Sequence, residues 1–188
     1  PARLVILKDL ETTYVKELSL LTSKPIMVVL NVDESDLTNS EDIEHKYALS
    51  LKLNNNQVIA ICAKTEMQLA DLSKEEQEQY LSEIGVKTGG LERLIKKAFA
   101  TLGLITYLTA GIKEVRAWTI KVDSVAPLAA GEIHTDFIKK FIKADVVKFA
   151  DFIALGGWKI ARENGVVRSE GKDYIVCDGD VIEFKIGA

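Results

Sequence analysis

Apolar and polar positions fall into distinct textures along this chain. Pro25 opens an unbroken apolar run, Ile26 to Leu30, that continues through Asn31 to Val32. A run rich in β-branched residues, with no alternation, predicts a strand buried on both faces, as in the centre of a parallel sheet. Ser40 is a candidate N-cap, with Glu41 and Asp42 suited to a helix N-terminus. Ile43, Tyr47, Ala48 and Leu51 then share one helical face, and Asn54-Asn55-Asn56 marks a turn. Val58 to Cys62 is a second apolar run. Strand, helix, strand predicts a βαβ unit, for which a right-handed crossover is the default. Ser73 and Glu76 have capping-box spacing, and Gly85 suits the position just past the helix end. Leu91, Leu94, Ile95, Ala98, Phe99 and Leu102 repeat at helical spacing up to Gly103, predicting an amphipathic helix that packs on a sheet or a neighbouring element. Residues 1–20 fit no such unit. Leu4 to Leu7 and Leu18 to Leu21 flank a charged stretch with no cap or turn, as in the tail of an element that begins elsewhere.

Past Gly103 the pattern becomes alternating. Arg116, Trp118, Ile120 and Val122 alternate with Val115, Ala117, Thr119 and Lys121, and Ile182, Phe184 and Ile186 with Val181, Glu183 and Lys185. Asp178-Gly179, between Tyr174–Cys177 and Val181–Ile186, predicts a hairpin. One helix is expected from Asp151 to about Glu163, followed by Gly165. Short strands with one helix in this span predict a small α+β roll of the β-grasp kind.

Composition narrows the class. The 188 residues are 47% hydrophobic and 28% charged, enough for a core. No apolar run approaches the roughly 18 residues of a membrane span, and no signal peptide is expected. Cys62 and Cys177 are too few for a disulfide framework or a four-cysteine zinc site, and suit buried free thiols in a reducing cytoplasm. A net charge of −4 excludes a uniformly basic nucleic-acid binder but leaves room for a local basic patch. Residues 1–104 hold 12 basic and 16 acidic side chains, and residues 105–188 hold 12 of each, a shift consistent with two units.

Asn31-Val32-Asp33-Glu34 lies at the C-terminal end of the first strand, where α/β sheets place ligands. P-loop GTPases carry N-K-x-D here, with the Asp pairing to two guanine donors. Glu34 is one methylene longer, which displaces the carboxylate and weakens guanine selectivity, while Val32 offers an apolar surface to a purine. A plain strand-to-loop Asn is the competing explanation. Cys62-Ala63-Lys64 ends the next strand where GTPases place an S-A-K-like turn whose Ala N–H faces the base. No phosphate cradle accompanies this corner. The one Gly-Lys pair, Gly171-Lys172, has Val166 where a P-loop needs glycine and Asp173 where it needs Ser or Thr. His45 and His134 support neither a triad nor a zinc site, and His134 is expected to bond Asp136 or a carbonyl. Lys139, Lys140, Lys143 and Lys148, interleaved with Phe137, Phe141 and Phe149, give 138–149 a net charge of +3. That combination suits RNA contact, or equally a strand with phenylalanines inward and lysines outward.

Thr106 to Gly111, Lys113 to Thr119, Ala129 to Phe137 and Glu170 to Asp180 closely resemble the TGS domain of YchF-type Obg-like ATPases, members of the TRAFAC class of P-loop proteins. Lys24-Pro25, Asn31 to Glu34 and Gly90 to Gly103 resemble the second half of that family's G domain. The resemblance implies an α/β partial P-loop G domain with a parallel sheet, followed by an α+β, β-grasp, ubiquitin-like TGS domain. It implies that residues 1–20 are the tail of a helical coiled-coil insertion, 21–104 the C-terminal half of the G domain and 105–188 the TGS domain. It further implies a ribosome-associated, cytoplasmic hydrolase of ATP, with GTP less preferred, whose magnesium ligands and P-loop lie before Pro1. Asn31, Val32, Glu34, Cys62 and Ala63 would form the nucleotide-base site, with no catalytic or metal-binding residue here and no hydrolysis by this chain alone. Lys139, Lys140 and Lys143 would meet the ribosome or RNA. No membrane or DNA partner is expected. The alternative is a non-enzymatic RNA- or protein-binding module built on the TGS domain.

Overall fold

A computed structural model describes residues 14, 17–112 and 114–187, so the expectation for 1–20 falls mostly outside the described residues. The chain is mixed α/β and divides between Leu102 and Gly103 into two compact units.

In the first unit, β1 (Val28–Asn31) and β2 (Val58–Ile61) pair in parallel, Val28 opposite Val58 and Asn31 opposite Ile61. Between them run a 3-10 segment, Glu34–Asn39, and helix α1 (Ser40–Leu51). Helices α2 (Ala63–Ala70), α3 (Lys74–Glu83) and α4 (Gly90–Leu102) follow. Val58, Ile59 and Ala60 are wholly buried, whereas Val29 on β1 is half exposed. The local signals hold. Ser73 and Glu76 form the capping box, Ser73 N–H donating to Glu76 Oε2 at 2.8 Å, and Gly85 takes φ +71° just past α3.

Two expectations for α1 fail, for one reason. Asn39, not Ser40, is the N-cap residue, and Ser40 is instead buried with its hydroxyl accepting from Arg93 Nη1 at 3.2 Å. The buried stripe runs Ser40, Glu44, Ala48, while Tyr47 and Leu51 are nearly half exposed. A charged residue faces the sheet because its charge is met there. Glu44 Oε1 accepts from the Ala60 N–H at 2.9 Å and from Arg93, and Oε2 from Lys97 Nζ at 2.6 Å. Lys97 also donates to the Val58 and Asn55 carbonyls. Helix α4 reaches β2 through Lys97, and its Leu91 and Ile95 remain more than half exposed.

The second unit is a five-stranded mixed sheet in the order β4-β3-β7-β5-β6. Strands β3 (Leu104–Ala110) and β4 (Val115–Lys121) are antiparallel, with Tyr107 opposite Trp118. Helices α5 (Ala126–Ile133) and α6 (Asp136–Lys140) lead to β5 (Phe141–Lys148), and α7 (Phe149–Ala154) and α8 (Trp158–Glu163) to β6 (Arg168–Glu170) and β7 (Asp180–Ile186). The β3–β7 pair alone is parallel. The core gathers Tyr107, Ile120, Ala126, Ala129, Ala130, Phe141, Val146 and Ile182. Tyr107 is fully buried. Its hydroxyl donates to the Ala129 carbonyl at 2.8 Å, and burial pushes its phenol far up. A side chain at Gly131 would come within 2.6 Å of Ile138, so glycine lets α5 and α6 pack closely.

Asp178-Gly179 does not close a hairpin. Residues 174–177 form only a bridge, Ile175 to Val125. The pair instead stitches β7 to β3, Asp178 Oδ1 accepting from the Thr106 N–H and the Gly179 N–H donating to Thr106 O, both at 2.8 Å. The single helix expected over 151–163 is two, broken where Gly156 and Gly157 take φ +72° and +122°. The break lets Trp158 Nε1 donate to the Ala110 carbonyl at 2.7 Å.

Candidate functional site

The C-terminal ends of β1 and β2 lie side by side. The Val32 N–H donates to Ile61 O at 2.9 Å, extending the pairing by one residue. Asn31 Oδ1 then accepts from the Ala63 N–H at 3.0 Å, clasping the two strand ends together. Asn31 and Ala63 are exposed and Val32 half-buried, so both sides of the clasp remain open to a ligand. The Ala63 N–H, expected to face a base, is already engaged by Asn31. Cys62 is buried at 6% exposure, so its side chain belongs to the core and only its main chain borders this corner.

Glu34 begins the 3-10 segment, three residues past Asn31. Its Oε2 accepts from Thr65 Oγ1 at 3.1 Å and from the Tyr80 hydroxyl at 2.9 Å. The hydrogen bond to Glu34, with a smaller effect of burial, pushes the Tyr80 phenol up, so it remains a donor at neutral pH. The Gln68 amide lies 3.0 Å from the same phenol oxygen. Thr65 and Tyr80 were not legible as site residues, since Tyr80 lies 46 positions from Glu34 and no spacing rule connects them. Glu66, also unforeseen, caps α4 by accepting from the Gly90 and Leu91 N–H groups at 2.7 and 3.0 Å. A Cβ at Gly90 would meet Ile61 at 2.7 Å, which requires glycine at this close approach.

A concavity of about 480 Å³ opens beside β1, lined by Asn31, Val32, Asp36, Ile43, Lys46 and Tyr47 among others. Its size suits a small molecule. Asn31 and Val32 join it to the clasp, whereas Glu34 and Ala63 do not line it.

In the second unit the lysines separate by environment. Lys139 and Lys140 sit exposed in the last turn of α6 and make no ion pair among the described residues. Lys143 donates to Ser169 Oγ at 2.9 Å and lies 3.2 Å from Asp145. Burial pushes the Asp145 carboxyl up, but the hydrogen bonds from Ser169 and Lys143 outweigh it and hold the group below its usual range. Lys148 pairs with buried Asp180 at 2.7 Å. Phe141 is buried as an inward residue should be, but Phe149 is half exposed. His45 is exposed, and His134 Nδ1 accepts from the Asp136 N–H at 3.2 Å. Among the described residues no cluster of three or more His, Cys, Asp or Glu is arranged to hold a metal, and no helix is long and apolar enough to cross a membrane.

Residues 104–187 match the family model described as "YchF-GTPase_C: Protein of unknown function (DUF933)". The chain is 46% identical over 190 residues to the "Ribosome-binding ATPase YchF" of Bacillus subtilis, covering 98% of this chain and 51% of that protein. It is 38% identical over 194 residues to "Obg-like ATPase 1" of Caenorhabditis elegans, covering 100% of this chain and 48% of that protein. The solved structure of the YchF GTPase of Schizosaccharomyces pombe aligns with a TM-score of 0.76 at 28% identity, over 97% of this chain and 49% of that one. The chain thus spans about half the length of the relatives it matches. With similarity running through both units and not confined to one motif, the chain belongs to the YchF family.

Proposed function

We propose that this chain is the base-recognising and TGS-bearing part of a ribosome-associated P-loop hydrolase that prefers ATP to GTP. The observation that carries this is the Asn31–Ala63 clasp at adjacent parallel strand ends. Sheets of this kind bind ligands at the carboxyl ends of their strands. Residues 21–104 are then the back half of a G domain and 105–188 the TGS domain, a β-grasp whose sheet order and α5 suit a ubiquitin-like fold. Asn31, Val32, Glu34 and Ala63, with the main chain of Cys62, receive the base. The relatives named ribosome-binding ATPases support the partner and the reaction class, and a ribosomal partner would suit a cytoplasmic setting. Hydrolysis needs phosphate and magnesium contacts. The part we assign to this chain is to bind and orient the base.

On its own the chain should bind ATP with a dissociation constant near a millimolar, about −4 kcal/mol, because the base supplies a few hydrogen bonds and one apolar contact. Amide shifts at Val32 and Ala63 should saturate with ATP, and Asn31→Ala should abolish them. Magnesium-dependent turnover co-eluting with the 20.8 kDa species, or no shift at either amide, would sink the proposal.

For the ribosome, Lys139 and Lys140 are the free charges and Lys143 is held by Asp145 and Ser169. Changing Lys139 and Lys140 to Glu should weaken ribosome co-sedimentation and reduce its logarithmic salt slope by about 1 to 2, since each phosphate contact releases about one counterion. Folding should be unaffected, as both side chains are exposed. An unchanged slope removes these lysines from the interface.

A further inference from the structure

One carboxylate at the corner is only half available. Glu34 Oε2 receives two hydrogen bonds, from Thr65 and Tyr80, while Oε1 has no hydrogen-bond partner among the described residues. Thr65 is 1% exposed, so its hydroxyl is fixed by the surrounding packing. Tyr80 comes from α3, a separate helix held by its own capping box. The carboxylate is therefore gripped from two elements. Thr65 follows Ala63 by two residues and Glu34 follows Asn31 by three, which places this grip next to the clasp.

The two purines ask different things of a carboxylate. The pairing edge of guanine offers two neighbouring donors, N1–H and the 2-amino group, which match both oxygens of a free carboxylate. That of adenine offers one donor, the 6-amino group, beside an acceptor nitrogen. A carboxylate with both oxygens free gains a bidentate pair from guanine, while one with a single free oxygen satisfies only one donor. A second guanine N–H left unpaired on desolvation carries a penalty.

We infer that Thr65 and Tyr80 are positioning residues for base choice: by occupying Oε2 of Glu34 they leave a single acceptor, which suits a 6-aminopurine and disfavours guanine. This rests on the proposed placement of a base at Asn31 and Ala63, and it assigns the preference to the grip on the carboxylate in addition to its length.

The probes are adenosine and guanosine, titrated into the chain and followed by amide shifts at Val32 and Ala63. Nucleosides isolate the base contact from any phosphate contribution. The unaltered chain should favour adenosine. The variant Tyr80→Phe with Thr65→Val, which keeps both shapes and removes both hydroxyls, should move the affinity ratio roughly tenfold towards guanosine, about 1.4 kcal/mol. Tyr80→Phe alone should give a partial shift and serves if the double variant does not fold, while Thr65→Ser should keep the original ratio. A general loosening of the corner would weaken both nucleosides alike. An unchanged ratio in the Phe and Phe/Val variants would overturn the role of Thr65 and Tyr80 while leaving the base site in place. If neither nucleoside shifts Val32 or Ala63 in the unaltered chain, the base placement itself falls, and this inference with it.

Discussion

Glu44→Ala is expected to destabilise the first unit by about 3–5 kcal/mol, the range found when one partner of a buried ion pair is removed. Glu44 is 4% exposed and its two oxygens meet Arg93, Lys97 and the Ala60 N–H. The Arg93 and Lys97 side chains are themselves only 20% and 18% exposed, so neither recovers full hydration when the carboxylate is lost. Lys97 keeps the Val58 and Asn55 carbonyls, but a backbone N–H at the centre of the most buried strand would have no acceptor. Domains are stable by only about 5–15 kcal/mol, so the loss is a large share of the total. Glu44→Gln, which retains an acceptor for Ala60 but not the charge, should fall between. Urea unfolding, with hydrogen exchange at Ile59 to Ile61 to localise the effect, measures it. A loss below about 1 kcal/mol for the alanine variant would show the cluster to be replaceable by solvent.

Asp180→Ala should have a comparable effect in the second unit, at the lower end of about 3–5 kcal/mol. Asp180 is wholly buried. Oδ2 accepts from Tyr174 Oη at 2.7 Å and the Cys177 N–H at 2.9 Å, and Oδ1 from Lys148 at 2.7 Å. Lys148 is 48% exposed and can turn to water, which moderates the cost. Tyr174 and Cys177 cannot turn away so easily, because Tyr174 packs on the core and also accepts from Arg168 at 3.0 Å. Burial, followed by the Asp180 hydrogen bond, pushes the Tyr174 phenol well up. The variant should therefore unfold at lower urea, and in the folded state its Tyr174 should ionise at lower pH. Unchanged tyrosine titration with unchanged stability would mean the carboxylate does not bind these groups in solution.

These two acids show where the sequence was legible and where it was not. Features written within a few residues came through: the Ser73–Glu76 box, the turn at Gly85, the strand ending at Asn31. The site proposed here rests on the same kind of signal, because a strand's C-terminal end is itself a sequence feature. The buried face of α1 did not, because periodicity scores Glu44 as polar, and its partners Arg93 and Lys97 lie 49 and 53 residues ahead. Asp178-Gly179 is a sound local turn signal that a distant partner overrides, since Thr106 is 72 residues upstream. The broken helix at Gly156-Gly157 was visible as two glycines, but the reason for the break, a bond from Trp158 to Ala110, was not. The bond from Lys143 to Ser169, 26 residues away, is hidden from local spacing for the same reason.

Strand β7 is the last strand of its unit in sequence and the middle one in space. Before it exists, β3 can pair with β4 and β5 with β6, but no strand joins the two halves. A growing polypeptide that has reached Cys177 therefore carries two separate ribbons, each with an unpaired inner edge. Contacts between segments this far apart form slowly, because the intervening chain must first be closed into a loop. Assembly of this unit is thus deferred until Asp180 to Ile186 have been synthesised, and in that interval its open edges are the part of the nascent chain most exposed to mispairing.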